Sequence, residues 1–433
     1  QPMNILSEQG DLLTRDGSAF KRLARGSAGQ FLGIAGADLA WAIPSHPVSP
    51  QGRLTLSSGE PVMTGDQTGK TSIFYTPYVG ANVPIYDGSV FAPTPFVDRS
   101  NDLTQSSTGK AGPAAAGPYQ VIDAFVWNDD GTIRLTRGPR WKRSSAIAIT
   151  IASPAVVTWN AHGLYDGATI RFPSTTGAVP TGVSLNTDYF VTKVDANSFK
   201  LSTTLANQVV GTFINTSGGQ TGVTTADNYT VDRGIGAGSC ELERLSGIWV
   251  NKYDIVNGPS ARKGAYVGTI YTNGASQIDF KMGSMAAGFG EAIIGVWNAY
   301  NRVDAKGQIT IGTASWSALA PWHAFNNYAT ARATMISGLA EDGVNGRAQA
   351  AIGYDGATAT QVGIAFRALT PSAGNYSSGY SGSGWGPTLT SMIDAAPFSG
   401  LGYLAGLEGS TNYTSSYVNT YGAALSIGYG WKY

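Results

Sequence analysis

The residues best equipped for chemistry in this chain are few and scattered. There are three histidines, His46, His162 and His323, and one cysteine, Cys240. No histidine lies within five residues of another or of the cysteine, so no local metal-ligand spacing exists. No metal and no cofactor are expected. His162 stands in an Ala-His-Gly-Leu turn and reads as a turn residue whose ring bonds the local backbone. A single cysteine allows no intrachain disulfide, and Cys240 reads as a small buried side chain. A glycan-cleaving site needs two carboxylates held about 5 to 9.5 Å apart. Asp304, Glu341, Asp342 and Glu408 are the acids available for it, but their spacing in sequence fixes no such distance, and they read as solvated or turn carboxylates. No Gly-x-Ser-x-Gly elbow is present. The Gly- and Ser-rich run from Tyr376 to Gly386 lacks the Lys-Ser/Thr ending and the following helix of a phosphate-cradling loop. The expected set of catalytic residues is empty, and the chain is expected not to be an enzyme.

What that run does offer is aromatic surface. Sugar rings present C–H faces that pack on Tyr and Trp, and neighbouring Ser and Asn supply adaptable hydrogen bonds. Tyr376, Tyr380 and Trp385 in this loop, with Tyr413 and Tyr417 in the segment ending at Tyr421, are the candidate glycan contacts. The competing reading is that these rings pack against neighbouring strands or subunits.

The elements that must position these residues are β-strands. In 433 residues there are 57 Gly, 21 Tyr and 10 Trp, which suits short strands joined by tight turns. Gly costs about 1 kcal/mol against Ala inside a helix, so long helices are disfavoured. The 42% hydrophobic content excludes a disordered chain. Lys+Arg and Asp+Glu are both 28, so no basic excess exists to neutralise phosphates, and nucleic acid is not an expected partner. No apolar run is long enough for a transmembrane helix. Gln1-Pro2-Met3-Asn4 lacks the basic-then-apolar build of a signal peptide. Membrane insertion is not expected, and assembly in the cytoplasm fits both absences.

Along the chain, Leu12-Leu13-Thr14-Arg15, Asp16-Gly17 and Ser18 to Leu23 read as a hairpin. Gln30 to Ile34 and Asp38 to Trp41 form a second ribbon around Ala35-Gly36-Ala37. Two such ribbons cannot bury a core alone, so Leu12, Leu13, Phe20, Leu23, Phe31, Leu32 and Trp41 must meet something else. Copies of the segment around a symmetry axis or a docking surface would serve. After prolines 44, 47 and 50 a larger β region runs over 51–151. A module at 152–224, with turn signals every 8 to 12 residues, interrupts it, and it resumes over 225–274. The last region, 275–433, ends in a strand whose apolar face is Leu425, Ile427, Tyr429, Trp431 and Tyr433, with Ser426, Gly428, Gly430 and Lys432 opposite. The expected architecture is all-β. It comprises an N-terminal anchoring ribbon (1–43), a β-sandwich-like discontinuous domain, an inserted small β module, and a C-terminal β-sandwich or jelly-roll-like domain.

Several segments resemble a known family. Gly10-Asp11-Leu12-Leu13-Thr14-Arg15-Asp16-Gly17, the run Arg22 to Leu32 and Trp41 resemble a segment near the start of tailed-bacteriophage fiber and spike proteins. Tyr75 to Gly80, Ile85 to Gly88, Tyr266 to Ile270 and Val296 to Val303 resemble, in order, a series in phage and prophage structural proteins. Within the module, Thr158 to Leu164, Val179 to Gly182, Tyr189 to Val191, Ser198 to Ser202 and Gly218 to Gly222 resemble a small β module inserted in phage tail and fiber proteins. The resemblance implies a homotrimeric virion structural subunit. It would attach through its N-terminus to portal, neck, capsid or tail proteins and could contact a host surface glycan. A capsid decoration or head-fiber protein without receptor role and a glycan-depolymerising spike are the alternatives. The resemblance carries no catalytic residues across.

Overall fold

The computed structural model describes residues 6–27, 30–42, 48–105, 109–283, 285–286, 290–311, 315–318, 322–353, 360–379, 385–410, 416–419 and 426–433. The chain is all-β, and the longer of its two described helical segments is a short α-helix at Leu205–Val209.

The N-terminal segment is two antiparallel hairpins: β1 (Leu12–Asp16) with β2 (Ala19–Leu23), and β3 (Phe31–Ala35) with β4 (Asp38–Ala42). Asp16 faces Ala19 and Ala35 faces Asp38, so each loop has two residues and begins with a glycine. Gly17 at φ +59° and Gly36 at φ +67° supply the left-handed conformation that lets a two-residue turn follow the strand twist. The first turn is therefore Gly17-Ser18, one residue later than expected.

The body begins with β5 (Gly52–Thr55), β6 (Gln67–Lys70), β7 (Ser72–Pro77), β8 (Asn82–Tyr86), β9 (Phe91–Pro95) and β10 (Arg99–Asp102). The long hairpin β11 (Val121–Asp129) and β12 (Thr132–Arg140) follows. The inserted module is a closed barrel of β13 (Arg143–Ile149), β14 (Val157–Thr158), β15 (Thr169–Thr175), β16 (Asp188–Lys193), β17 (Ser198–Ser202) and β18 (Thr224–Asn228). It begins at Arg143 and ends at Asn228, wider at both ends than the expected 152–224. Arg143 faces Asn228 across the β13–β18 pair, so the insertion enters and leaves the body at one place.

The chain then returns through β19 (Leu242–Leu245), β20 (Ile248–Asn251) and β21 (Ala265–Tyr271), where β21 pairs with β11. Next come β22 (Ile278–Met282), β23 (Met285–Ala286), β24 (Ala292–Ile294), β25 (Val296–Asn298) and β26 (Asp304–Ile311). They lead to β27 (Ser315–Ala318), β28 (His323–Ala324), β29 (Arg332–Ser337), β30 (Val344–Gly353), β31 (Thr360–Phe366) and β32 (Tyr376–Gly379). The remaining strands are β33 (Trp385–Ala395), β34 (Gly400–Ser410), β35 (Ser416–Asn419) and β36 (Ser426–Lys432).

Two large sheets stack here as a sandwich. One has the order β32-β31-β34-β29-β24-β22-β6; in the other, β36 lies between β26 and β30, with β33 beyond β30. Glycines allow the close approach: a Cβ at Gly406 of β34 would lie 2.7 Å from Ile427 of β36, and one at Gly346 of β30 would lie 2.6 Å from Leu404 of β34. Ile427, Tyr429, Trp431 and Tyr433 are buried on the inner face of this sandwich, as the alternation requires; Leu425 lies outside the described residues.

The boundary expected between 274 and 275 is not a boundary in the packing. β6 pairs with β22, and β25 pairs with β21. The Leu54 amide donates to Asn298 Oδ1 at 2.6 Å, and Arg53 Nη2 donates to the Tyr433 carbonyl at 3.2 Å. One continuous apolar core runs from Leu54 to Tyr433. Strand partners lie far apart in sequence, and a linear reading of composition carries no sign of which strands meet.

Candidate functional site

The N-terminal ribbons expose large apolar side chains. Phe20 is 68% exposed, Phe31 64% and Ile34 79%, and Leu12, Leu13, Leu32 and Leu39 are exposed too. In β3–β4, Leu32, Ile34, Leu39 and Trp41 share one face, since Leu32 faces Trp41 and Ile34 faces Leu39. In β1–β2, Leu13 and Phe20 fall on one face and Leu12 and Leu23 on the other. Apolar groups thus stand on both sides of the first ribbon. Ile34 and Leu39 belong to this surface although the sequence reading did not single them out; their alternation with Leu32 and Trp41 is the signal that shows them.

Two of the seven expected anchors are used internally. Trp41 Nε1 donates to the Ala24 carbonyl at 2.6 Å, and its ring lies where a side chain at Gly26 would be. Leu23 is half-buried opposite Leu12. Asp11 organises the entry to β1: it accepts from Arg22 Nε at 2.6 Å and from the amides of Ser7, Glu8 and Arg25. The Arg22 guanidinium holds the Asp11 carboxyl down at about 2.

The expected aromatic loop is in part strand. Tyr376 opens the edge strand β32, and Trp385 opens β33 in the other sheet, beside Gly353. Tyr417 lies in β35, paired with Ser317 of β27. Tyr380 and Tyr413 fall outside the described residues. Tyr376 is 44% exposed and meets Trp322 edge-to-face, ring centres 5.6 Å apart. Trp322 is bedded on glycines, since added Cβ atoms at Gly363 and Gly409 would each lie 3.1 Å from its ring. Trp322 escaped the sequence reading because its partners come from distant strands.

Three of the four acids are engaged elsewhere, and Asp304 is exposed. Glu341 and Asp342 both pair with Arg302, at 3.0 and 2.7 Å. Glu408 is fully buried, accepts from the Asn326 amide at 2.8 Å and pairs with His323 at 3.0 Å. His162 is buried in the barrel: its Nδ1 accepts from the Leu164 amide at 2.9 Å, and its Nε2 bonds the Asp195 carbonyl at 3.0 Å. Both ring nitrogens are bound by backbone, as expected for a turn residue, and burial pushes its pKa down. His46 lies outside the described residues.

Cys240 is buried under Gly138, and burial pushes its thiol well above the ordinary value, with the Asp123 carboxylate adding to the effect. Such a thiol is a poor nucleophile. Asp123 itself is fully buried, accepting from Arg233 Nε at 2.7 Å and from the Thr269 hydroxyl at 2.6 Å. Arg233 also stacks 4.3 Å over Trp141. This buried charge pair ties the segment after the barrel to the sheet, and no local spacing announces it.

No protein-family model and no curated protein matches the chain. Among solved structures, a phage phi92 endosialidase aligns over 67% of this chain and 55% of its own, at 10% identity and a TM-score of 0.16. The chain thus spans about half the length of that protein, and the superposition is too loose to carry an argument.

Proposed function

We propose that the chain is a structural subunit of a tailed-phage particle, attached through residues 6–42 and presenting its β body outward. The observation that carries this reading is the pair of ribbons: apolar on exposed faces, joined to each other through Trp41, and without a core of their own. Exposed apolar surface of this kind marks an interaction site. The ordered phage-like segments from Gly10 to Val303 supply the particle. Self-association into a trimer, or docking on a virion protein, would cover both faces of the first ribbon.

The Trp322–Tyr376 pair supports glycan contact as the task of the body, since a partly exposed ring edge suits stacking on a sugar. A decoration protein would share the anchor and lack that contact. A cleaving spike would release oligosaccharide.

The test is a chain carrying Phe20→Asp and Ile34→Asp, two exposed positions whose change leaves the body intact. The expected result is unchanged thermal unfolding of the body, loss of the oligomer in sedimentation, and absence from assembled particles. A wild-type chain that stays monomeric and unincorporated, or a variant incorporated at the wild-type level, would overturn the reading.

A further inference from the structure

The outer face of the second large sheet carries a trough of about 980 Å³, within the size range of ligand sites. Its floor is β36, where Gly428 and Gly430 point outward: the space over Gly428 is open, while the Asn345 amide lies over Gly430. The register places Lys306, Gly430, Asn345 and Asp394 in one row across β26, β36, β30 and β33. Gln308, Gly428, Arg347 and Met392 form the next row. Side chains facing each other across antiparallel strands share a face. One wall is therefore Lys306 and Gln308, and the other is Asn345 and Arg347, with the glycines between them. With strands about 4.8 Å apart, the walls stand roughly 10 Å from each other. Asp304 beside Lys432 closes one border; Asp394, and Asn375 next to Tyr376, line the other.

Three features define what fits. First, the charges are unspent: among the described residues, the side chains of Lys306, Arg347, Lys432, Asp304 and Asp394 have no ion-pair or hydrogen-bond partner. A sheet that needed them for its own stability would pair them. Second, Lys306 and Arg347 reach the glycine floor from opposite walls, so an anionic group seated there meets a cation on each side. The acids stand at the borders and do not oppose it. Third, β36 is hydrogen-bonded on both sides, to β26 and β30. Its backbone cannot recruit an added strand, so an extended peptide has no main-chain anchor here. Recognition must come from side chains that both donate and accept, which is what a hydroxyl-rich ligand requires.

We propose that this trough binds an anionic saccharide, its acidic group over the open Gly428 between Lys306 and Arg347, and its hydroxyls on Asn345, Gln308, Asp304 and Asp394. The proposal rests on the glycan-contact reading of the body and adds both the charge class and a second surface; it is independent of the anchoring role.

The test titrates the full chain with oligogalacturonate, with a phosphorylated mannan oligosaccharide, and with neutral oligogalactose. Variants are Lys306→Gln, Arg347→Gln, Gly428→Val and Tyr376→Ala. Gly428 has an ordinary strand backbone and open space where its Cβ would be, so valine fills the trough without disturbing the fold. The expected result is binding of an acidic sugar, carboxylate- or phosphate-bearing, over the neutral one. Each charge variant should weaken it about tenfold or more, Gly428→Val should abolish it, and thermal unfolding should stay the same in all three. Equal binding of neutral sugar, or acidic binding lost in Tyr376→Ala and kept in the trough variants, would overturn the trough and leave glycan contact standing. No binding of any sugar would overturn both.

Discussion

At the scale of single residues, the clearest consequence concerns His162. Its ring is buried and held neutral, with backbone groups on both nitrogens. Burial lowers its folded pKa below the ordinary imidazole value of 6.5, so between those two values the unfolded chain binds a proton that the folded chain refuses. Stability is then full above about 6.5 and falls as pH drops through that window. Protection factors of the barrel amides, after correction for the pH dependence of intrinsic exchange, should fall from pH 7 to pH 5, and His162→Asn should flatten that dependence. The same slope in both chains would show that the pH response lies elsewhere. His162 was legible in part, because its turn and its Leu164 amide partner are local, whereas the Asp195 carbonyl on its other nitrogen lies 33 residues on. The Asp123–Arg233 pair and the Trp322–Tyr376 edge were not, because each joins residues that only the finished sheet brings together.

At the scale of elements, the inserted barrel is attached more firmly than an insertion needs to be. Its core is shared with Ala365, Tyr403, Ala405 and Leu407 on the outer face of β31 and β34. Arg367 stacks 4.7 Å over Tyr165, and Asp166 accepts from the Leu369 amide. Excision is geometrically simple, since Arg143 faces Asn228 and a two-residue turn would join them. The excised chain is expected to keep its fold but melt lower and bind a hydrophobic dye. Tyr403 and Leu407 would each lose about 1.5–3 kcal/mol of burial. An unchanged melting temperature would mean that the barrel contributes nothing to the body. The density of turns made this module legible in the sequence. Its first strand was missed because the Gly138-Pro139 pair that reads as a break lies inside β12, and β13 follows after only Trp141 and Lys142.

At the scale of the molecule, the body behaves as one cooperative unit. The pairings β6–β22 and β25–β21, with the bonds from Arg53 and Leu54 to Tyr433 and Asn298, lace its two halves into one core. A chain lacking residues 1–47 is expected to unfold in a single calorimetric transition at the full-length temperature. A chain of residues 275–433 alone is expected to give no cooperative transition. Two separate transitions in the first, or an independent fold in the second, would contradict the shared core. The all-β class was legible from glycine, aromatic and β-branched content. The unity of the body was not, since it depends on pairings between strands far apart in the chain.

The place of β36 has a consequence for synthesis. It runs between β26 and β30 and its last residues reach back to Met63 and Arg53, yet it is translated after every other strand described. Until it emerges, β26 and β30 present bare edges to one another and the floor of the trough does not exist. A chain released early from the ribosome would carry both ribbons on a body that cannot close. Such a product exposes unpaired strand edges and is a substrate for proteases and chaperones. The core therefore closes only once β36 has been made, and any fragment that stops before it lacks the strand that joins β26 to β30.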